Sequence, residues 1–377
     1  MSLFQAAKEG WNDFLDSKIF SYSKYRNYDY GNKKDNYVSG LSPYITHRVL
    51  LEYDLIIDLK SKIKGSSINK FIEELYWRIY WKGWLENRPD LWKQFVFEKI
   101  SMSNELSYKN AIRGETDLEF FNSWILELKN NNYLHNHTRM WFASTWIFNL
   151  KLPWQLGARL FLKHLYDGDA ASNLLSWRWV AGLHTKGKKY LFTPENLKKF
   201  SNNRISVNTI NNKEINLDEN YDYPLKQDIY ECDFKQKSEN LILFENDLNL
   251  ETLRQIIPNY KNVILILLTN KDRQIKLSSK VLDFKRRLCN EFLINFKNVE
   301  LIDSNKIITK LSLYNQYDYI YSSVGENDDF INNIKIKYKI LIHKLVRDED
   351  LYSWQFAKKG FFKFKESIPL INKYILN

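Results

Sequence analysis

The chain has 377 residues, 44% of them hydrophobic, and a formal charge of +11. That length accommodates two domains, and that apolar fraction supports packed cores and excludes a disordered chain. The charge suits a polyanionic partner, and because residues 1–222 carry +6 and residues 223–377 carry +5, no single basic tail holds it. Eleven of the 12 tryptophans precede residue 180 and only Trp354 follows, so the two halves are built differently. Cys232 and Cys289 have neither metal-ligand nor redox spacing; free thiols, a reducing cytoplasmic setting and no metal site are expected. MSLFQAAKEGWNDF lacks a signal-peptide core and no apolar run reaches spanning length, so no membrane association is expected.

In chain order, Phe4 to Phe20 reads as a helix and the tyrosine-rich piece Tyr22 to Tyr30 as a solvated loop. In Val38-Ser39-Gly40-Leu41-Ser42-Pro43-Tyr44, Ser42 is a good N-cap and Pro43 a good first helical residue. Free backbone N–H groups at such a start can hold a pyrophosphate. Phe71 to Leu85 has helical spacing that puts Glu74, Trp77, Arg78 and Trp81 on one face, which by itself implies an aromatic core with a Glu–Arg pair. A turn at Glu86–Asp90 leads into amphipathic helical material ending at Lys129.

The stretch Asn131 to Thr185 carries the most chemistry. It holds His135-Asn136-His137-Thr138-Arg139-Met140, an apolar run punctuated by Pro153, a helical pattern from Trp154 to Leu165, Asp167-Gly168-Asp169-Ala170-Ala171-Ser172-Asn173 and Trp177-Arg178-Trp179. Buried charges must pair or meet a polar ligand. The residues alone leave an internal ion pair and a bound ligand equally open for Arg139, Asp167 and Asp169. Lys186, Lys188 and Lys189 lie on a loop able to touch phosphates, Thr193-Pro194-Glu195 opens another helix, and the Asn- and Asp-rich residues 206–238 read as a linker between domains 1–205 and 239–377. In the second half, short apolar runs at Leu241–Phe244, Val263–Leu268, Val299–Ile302, Tyr317–Tyr321 and Tyr338–Ile342 alternate with helical patterns at Leu250–Ile257, Ser279–Phe296, Asn305–Tyr314 and Asp329–Ile334. Such alternation implies an α/β domain with an open parallel sheet.

N-x-x-R-M followed by D-G-D-x-A-x-N-x-x-x-W-x-W-x-A-G resembles the flavin-binding heart of the photolyase/cryptochrome family, over roughly residues 22–200. The resemblance implies an all-α FAD-binding domain. By it, Ser39, Leu41 and Ser42 fall on the phosphate motif, with Tyr25 and Arg26 contacting flavin phosphate or DNA and Tyr28 the alternative to Tyr25. Asn136, Arg139, Asp167, Asp169 and Asn173 would surround the isoalloxazine, with Arg139 paired to Asp167. Glu74, Trp77, Met140 and Trp179 match the pocket for a cyclobutane dimer, with Arg78 facing the flavin, and Trp177 and Trp154 match the inner electron-transfer tryptophans. A third tryptophan is unplaced among Trp81, Trp84, Trp92 and Trp124. Asn136 stands where (6-4) photolyases have a catalytic His, which disfavours that substrate, and His135 and His137 are read as ordinary polar residues. Asp117 departs from the family's G-x-T-G turn.

Photolyases normally begin with their α/β domain. Here Leu243 to Leu253 resembles the start of that domain, so its relocation behind the flavin domain, a circular permutation, is expected. No pigment-binding residues are matched, and the antenna chromophore is left open. The expected function is light-driven repair of pyrimidine dimers in DNA by a monomeric deoxyribodipyrimidine photolyase-like lyase; the alternative is a blue-light photoreceptor of cryptochrome type without repair. Retention of all of Glu74, Trp77, Met140 and Trp179 favours repair.

Overall fold

The computed structural model describes residues 1–31, 36–101, 104–210, 215–217, 219, 223–226, 234–303 and 306–376. Cys232 and part of the 206–238 linker lie outside them. The first half is helical: α1 (Leu3–Ser17), α2 (Ile19–Tyr25), α3 (Ser42–Thr46), α4 (Glu52–Lys62), α5 (Asn69–Glu86), α6 (Pro89–Phe97), α7 (Glu105–Arg113), α8 (Glu119–Asn131), α9 (Asn136–Ser144), α10 (Trp154–His164), α11 (Ala170–Val180) and α12 (Pro194–Phe200). Ser2 caps α1 by accepting from the Gln5 N–H, and the helix buries Ala7, Trp11, Phe14 and Leu15. The single helix expected to Phe20 breaks at Lys18, whose backbone leaves helical geometry, and α2 follows. Ser42 is the first residue of α3 and Pro43 the second, one position later than the capping pattern predicts, and Leu41 offers no side-chain cap.

Helix α5 is the central element. It packs against α4, α6 and α11, which explains a sequence with aromatic residues on every side rather than one apolar stripe. Helices α10 and α11 approach closely because residue 157 is glycine: a Cβ there would lie 2.2 Å from the Trp177 ring.

The second half is a five-stranded sheet, all parallel, in the order β3-β2-β1-β4-β5, from β1 (Asn240–Phe244), β2 (Asn262–Leu267), β3 (Val299–Asp303), β4 (Gln316–Tyr321) and β5 (Leu341–Val346). Helices α13 (Leu250–Ile256), α14 (Ser279–Leu293), α15 (Ile307–Leu311) and α16 (Glu326–Tyr338) make the crossovers. All of Asn240–Phe244 is buried, as a parallel sheet covered on both faces requires. The last strand is displaced from its expected place at Tyr338–Ile342. Tyr338 ends α16, Lys339 turns the chain in a left-handed conformation, and pairing starts at Leu341.

The closing helices α17 (Asp348–Trp354), α18 (Phe361–Lys365) and α19 (Ile368–Leu376) leave the sheet and pack on α4 and α5. Gly83 makes room for Trp354, whose Cα would lie 2.9 Å from a Cβ at position 83. The two halves are also joined by buried charges. Arg48 meets Asp247 at 3.2 Å and Asp350 at 2.6 Å, while Arg347 meets Asp247 at 2.7 Å.

A further joint is Glu86, at the end of α5, which accepts from the Tyr321 hydroxyl and the Val324 N–H, both at 2.6 Å. Burial pushes its carboxyl up to about 7. The unfolded value lies near ~4.3, so the folded pKa is the higher one. The stabilisation is therefore complete below that value and is lost as pH rises towards 7. Glu86→Gln should remove the loss, stabilising the protein at pH 8 by up to about 3 kcal/mol while leaving it little changed near pH 4. Thermal melts across that range check it.

Candidate flavin site

The site grows from the ends of three helices. Asp169 precedes α11 and caps it, its Oδ1 accepting from the Ala171 and Ser172 N–H groups at 2.9 Å. Two residues earlier, Asp167 is buried and its Oδ2 lies 2.9 Å from the Arg139 guanidinium on α9. Burial pushes the Asp167 carboxyl up, but Arg139 and hydrogen bonds from Ser42 and Arg139 outweigh it and hold the group below the usual carboxylate range. Arg139 also donates from Nε to the Leu134 carbonyl at 2.9 Å, which fixes its fork. From α5, Arg78 donates to Thr46 Oγ1 at 2.7 Å and lies 3.6 Å from Asp169 and 3.7 Å from Glu52.

The Asn173 side chain donates to the Ala158 carbonyl at 2.9 Å, tying α11 to α10. Trp177 is buried behind it, edge-on to Phe161 at 5.1 Å. Trp154 stacks on Phe95 at 5.9 Å and lines a pocket of about 420 Å³ with Leu217, Glu219 and Tyr223.

Residues 71–221 match the model of the FAD binding domain of DNA photolyase. Residues 71–221 are a photolyase-type FAD-binding domain. Similar curated proteins include a deoxyribodipyrimidine photo-lyase of Alkalihalophilus pseudofirmus, 29% identical over 45% of this chain and 37% of that protein. Another is the deoxyribodipyrimidine photo-lyase of Salmonella typhimurium, 30% identical over 41% of this chain and 33% of that protein. The chain thus spans about a third of the length of these relatives. A class III photolyase structure from Agrobacterium tumefaciens is similar with TM-score 0.46 and 26% identity over 53% of this chain and 42% of that one.

The photolyase-type domain fits its flavin chemically. Asp167 Oδ1, Asp169 Oδ2, Ser172 Oγ and Arg78 Nε are buried without hydrogen-bond partners. A flavin ring edge carries an imide N–H, carbonyl oxygens and ring nitrogens. These complement two carboxylate acceptors, a hydroxyl and a guanidinium, and buried polar atoms of this kind otherwise carry a desolvation cost.

Of the residues expected to recognise a dimer, Glu74 is part-exposed and ion-paired to Arg26 at 3.5 Å and Lys70 at 3.2 Å. Trp77 is part-exposed but carries Phe361 of α18 stacked on it at 3.6 Å and 10°. Met140 and Trp179 are part-exposed, and Trp179 lies 5.6 Å from the Tyr190 ring. Asn136 is exposed at the start of α9. Tyr25 lies against Tyr28 and Tyr37. Ser39 accepts from the Leu41 N–H at 3.4 Å, and Leu41 itself is buried. Lys186 and Lys188 are exposed, while Lys189 reaches Asn216.

His135 caps α9, and His137 bridges the Asn27 carbonyl and the Tyr190 hydroxyl. Burial lowers both imidazoles to about 4, so they are neutral polar residues at physiological pH.

Thr46 and Glu52 have no counterpart among the sequence candidates, although they hold Arg78. Nothing in their local text marks them, because their partner lies 26 to 32 residues away. At the carboxyl ends of β1, β2 and β4 a cavity of about 80 Å³ touches His47, Asp169, Glu245, Arg273 and Glu326. Glu245 meets Arg273 at 2.9 Å and Lys285 at 3.2 Å across it. That volume suits a few water molecules. Among the described residues, no helix is long and apolar enough to cross a membrane.

Proposed function

We propose that the chain is a light-driven lyase that repairs cyclobutane pyrimidine dimers in DNA, in a cytoplasmic setting, with residues 1–205 as flavin domain and 239–377 as a relocated α/β domain. The observation that carries this reading is the part-buried Arg139–Asp167 pair, with Asp167 Oδ1 and Ser172 Oγ buried beside it without hydrogen-bond partners, inside the segment that matches a photolyase FAD-binding domain. The names of the matched relatives support the substrate.

Bound there, the flavin would supply one-electron donation and return under blue light. The protein's part is placement. Arg139, held by the Leu134 carbonyl, and the ionised Asp167 would fix the ring edge, and Arg78 would neutralise charge from the α5 side. Asn173, anchored through Ala158, would present the rest of its amide to the ring. Trp77 and Trp179 are part-exposed indoles able to stack on a flipped dimer, which is easier to unstack than intact bases. Glu74 would exchange Arg26 or Lys70 for the imide edge of the lesion. Trp177 and Trp154 would relay electrons inward from the pocket beside Trp154.

The test is photoreduced protein with UV-irradiated oligothymidylate, following recovery of thymine absorbance under blue light against a dark control. Recovery is expected, and Trp77→Ala should weaken lesion binding roughly 5- to 150-fold, the value of one stacked base. A reducible yellow protein without recovery would sink the repair reading. The second reading, a photoreceptor without repair, is favoured by one observation: Phe361 already occupies a face of Trp77.

A further inference from the structure

Four tyrosines, Tyr25 at the end of α2 and three between α2 and α3, form a closed ring. Their centroids are 6.0 Å apart for Tyr25–Tyr28, 5.9 Å for Tyr28–Tyr30, 6.1 Å for Tyr30–Tyr37 and 4.9 Å for Tyr37–Tyr25. All four are part-exposed, whereas Tyr22, three residues before Tyr25, is buried. A set of rings this large at the surface is not needed for the core.

The ring has a cation at each end. Lys24 Nζ sits 4.8 Å over Tyr25. At the other end Tyr28 meets Phe200 at 5.1 Å, and Lys199 Nζ sits 5.1 Å over Phe200.

The ring is also continuous with the lesion-facing residues. Arg26 reaches Glu74 at 3.5 Å. On the other side Phe200 contacts His137 at 4.9 Å, His137 meets the Tyr190 hydroxyl at 3.1 Å, and Tyr190 lies 5.6 Å from Trp179. A chain of ring contacts, joined by the His137–Tyr190 hydrogen bond, thus links the ring to Trp179 through the buried His137.

We propose that the tyrosine ring is a stacking platform for unpaired bases of a DNA single strand, with Lys24 and Lys199 on its phosphates. Flat faces interleaved with cations match a polymer of flat bases on an anionic backbone, and stacking tolerates any base because each has a π-face. A duplex hides those faces, so the platform selects single strands. The proposal rests on the reading of DNA as substrate and adds where the strand beside the lesion lies.

The test uses the whole 377-residue chain and fluorescence anisotropy with a labelled undamaged oligothymidylate of ~12 nucleotides, against a duplex of equal length, a length that covers one typical single-strand site. Wild type should bind the single strand more tightly. Tyr30→Ala, and Tyr28→Ala with Tyr30→Ala, should weaken it by roughly 5- to 150-fold per lost stack, while the Tyr→Phe versions keep wild-type affinity. Lys24→Ala with Lys199→Ala should flatten the plot of log K against log salt by about 0.7 per lysine.

Unchanged single-strand affinity in folded alanine variants, or tighter binding of the duplex, would overturn the platform. Where an alanine variant does not fold, an unchanged salt slope in the lysine variant overturns it equally. The two readings fail separately. Repair with no dependence on the tyrosines leaves the lyase and removes the platform. Tyrosine-dependent binding of undamaged strand without repair does the reverse.

Discussion

Replacing Asp247 with alanine is expected to lower the stability of the fold by about 3–5 kcal/mol, the cost of stranding buried cations without their counter-ion. Asp247 follows β1 and both of its oxygens are in use: Oδ2 towards Arg48 at 3.2 Å and Oδ1 towards Arg347 at 2.7 Å. All three side chains are no more than 4% exposed, so water cannot take over when the carboxylate is removed. Burial alone would push the Asp247 carboxyl up, but Arg347 and Arg48 outweigh it and hold the group below its ordinary range. The folded pKa is therefore the lower one, and this stabilisation is lost as pH falls below the unfolded value near ~3.9. Arg48 belongs to the turn after α3, Asp247 to the turn after β1 and Asp350 to α17, so the expected loss falls on the joint between the two halves. The shift in urea midpoint of Asp247→Ala measures it. A loss below about 1 kcal/mol, the worth of an exposed pair, would contradict the role.

The second large effect concerns Gly157. An alanine Cβ would stand 2.2 Å from Trp177 Cη2 and 2.5 Å from Cζ3, well inside contact distance. The obstacle is a rigid indole that is itself fully buried, so either the ring or α10 must move. Overpacking of this kind costs about 1–3 kcal/mol and sometimes more. If Trp177 feeds electrons to the flavin, Gly157→Ala should slow photoreduction as well as lower the melting temperature. Trp177→Phe at normal Gly157 separates the two effects: it should slow photoreduction while preserving most of the packing. A Gly157→Ala protein that melts as wild type would contradict the close approach of α10 and α11.

Local text already carried most of the elements. The helical spacing from Phe71 to Leu85 matches α5, and the apolar runs at Leu241 and Val263 match β1 and β2 within a residue. These were legible because periodicity is written along the chain. The misplaced last strand shows the limit. Tyr338-Lys-Ile-Leu-Ile is apolar enough for a strand, but where α16 stops is decided by a left-handed turn at Lys339, which no local propensity marks. The break at Lys18 is of the same kind.

The Arg139–Asp167 pairing was legible only through the spacing of the whole motif, since 28 residues separate the two and charge alone allows other partners. What the sequence by itself determined is the set of elements, the parallel α/β second half and the cluster of charged residues that a flavin domain requires. Tertiary structure alone decided that Glu52 and Thr46 hold Arg78, that Phe361 returns from the far end of the chain to lie on Trp77, and that four tyrosines close into a ring. The reason is physical. Periodicity and capping act within a few residues, whereas ion pairs and ring stacks form between surfaces that come together only when the helices pack.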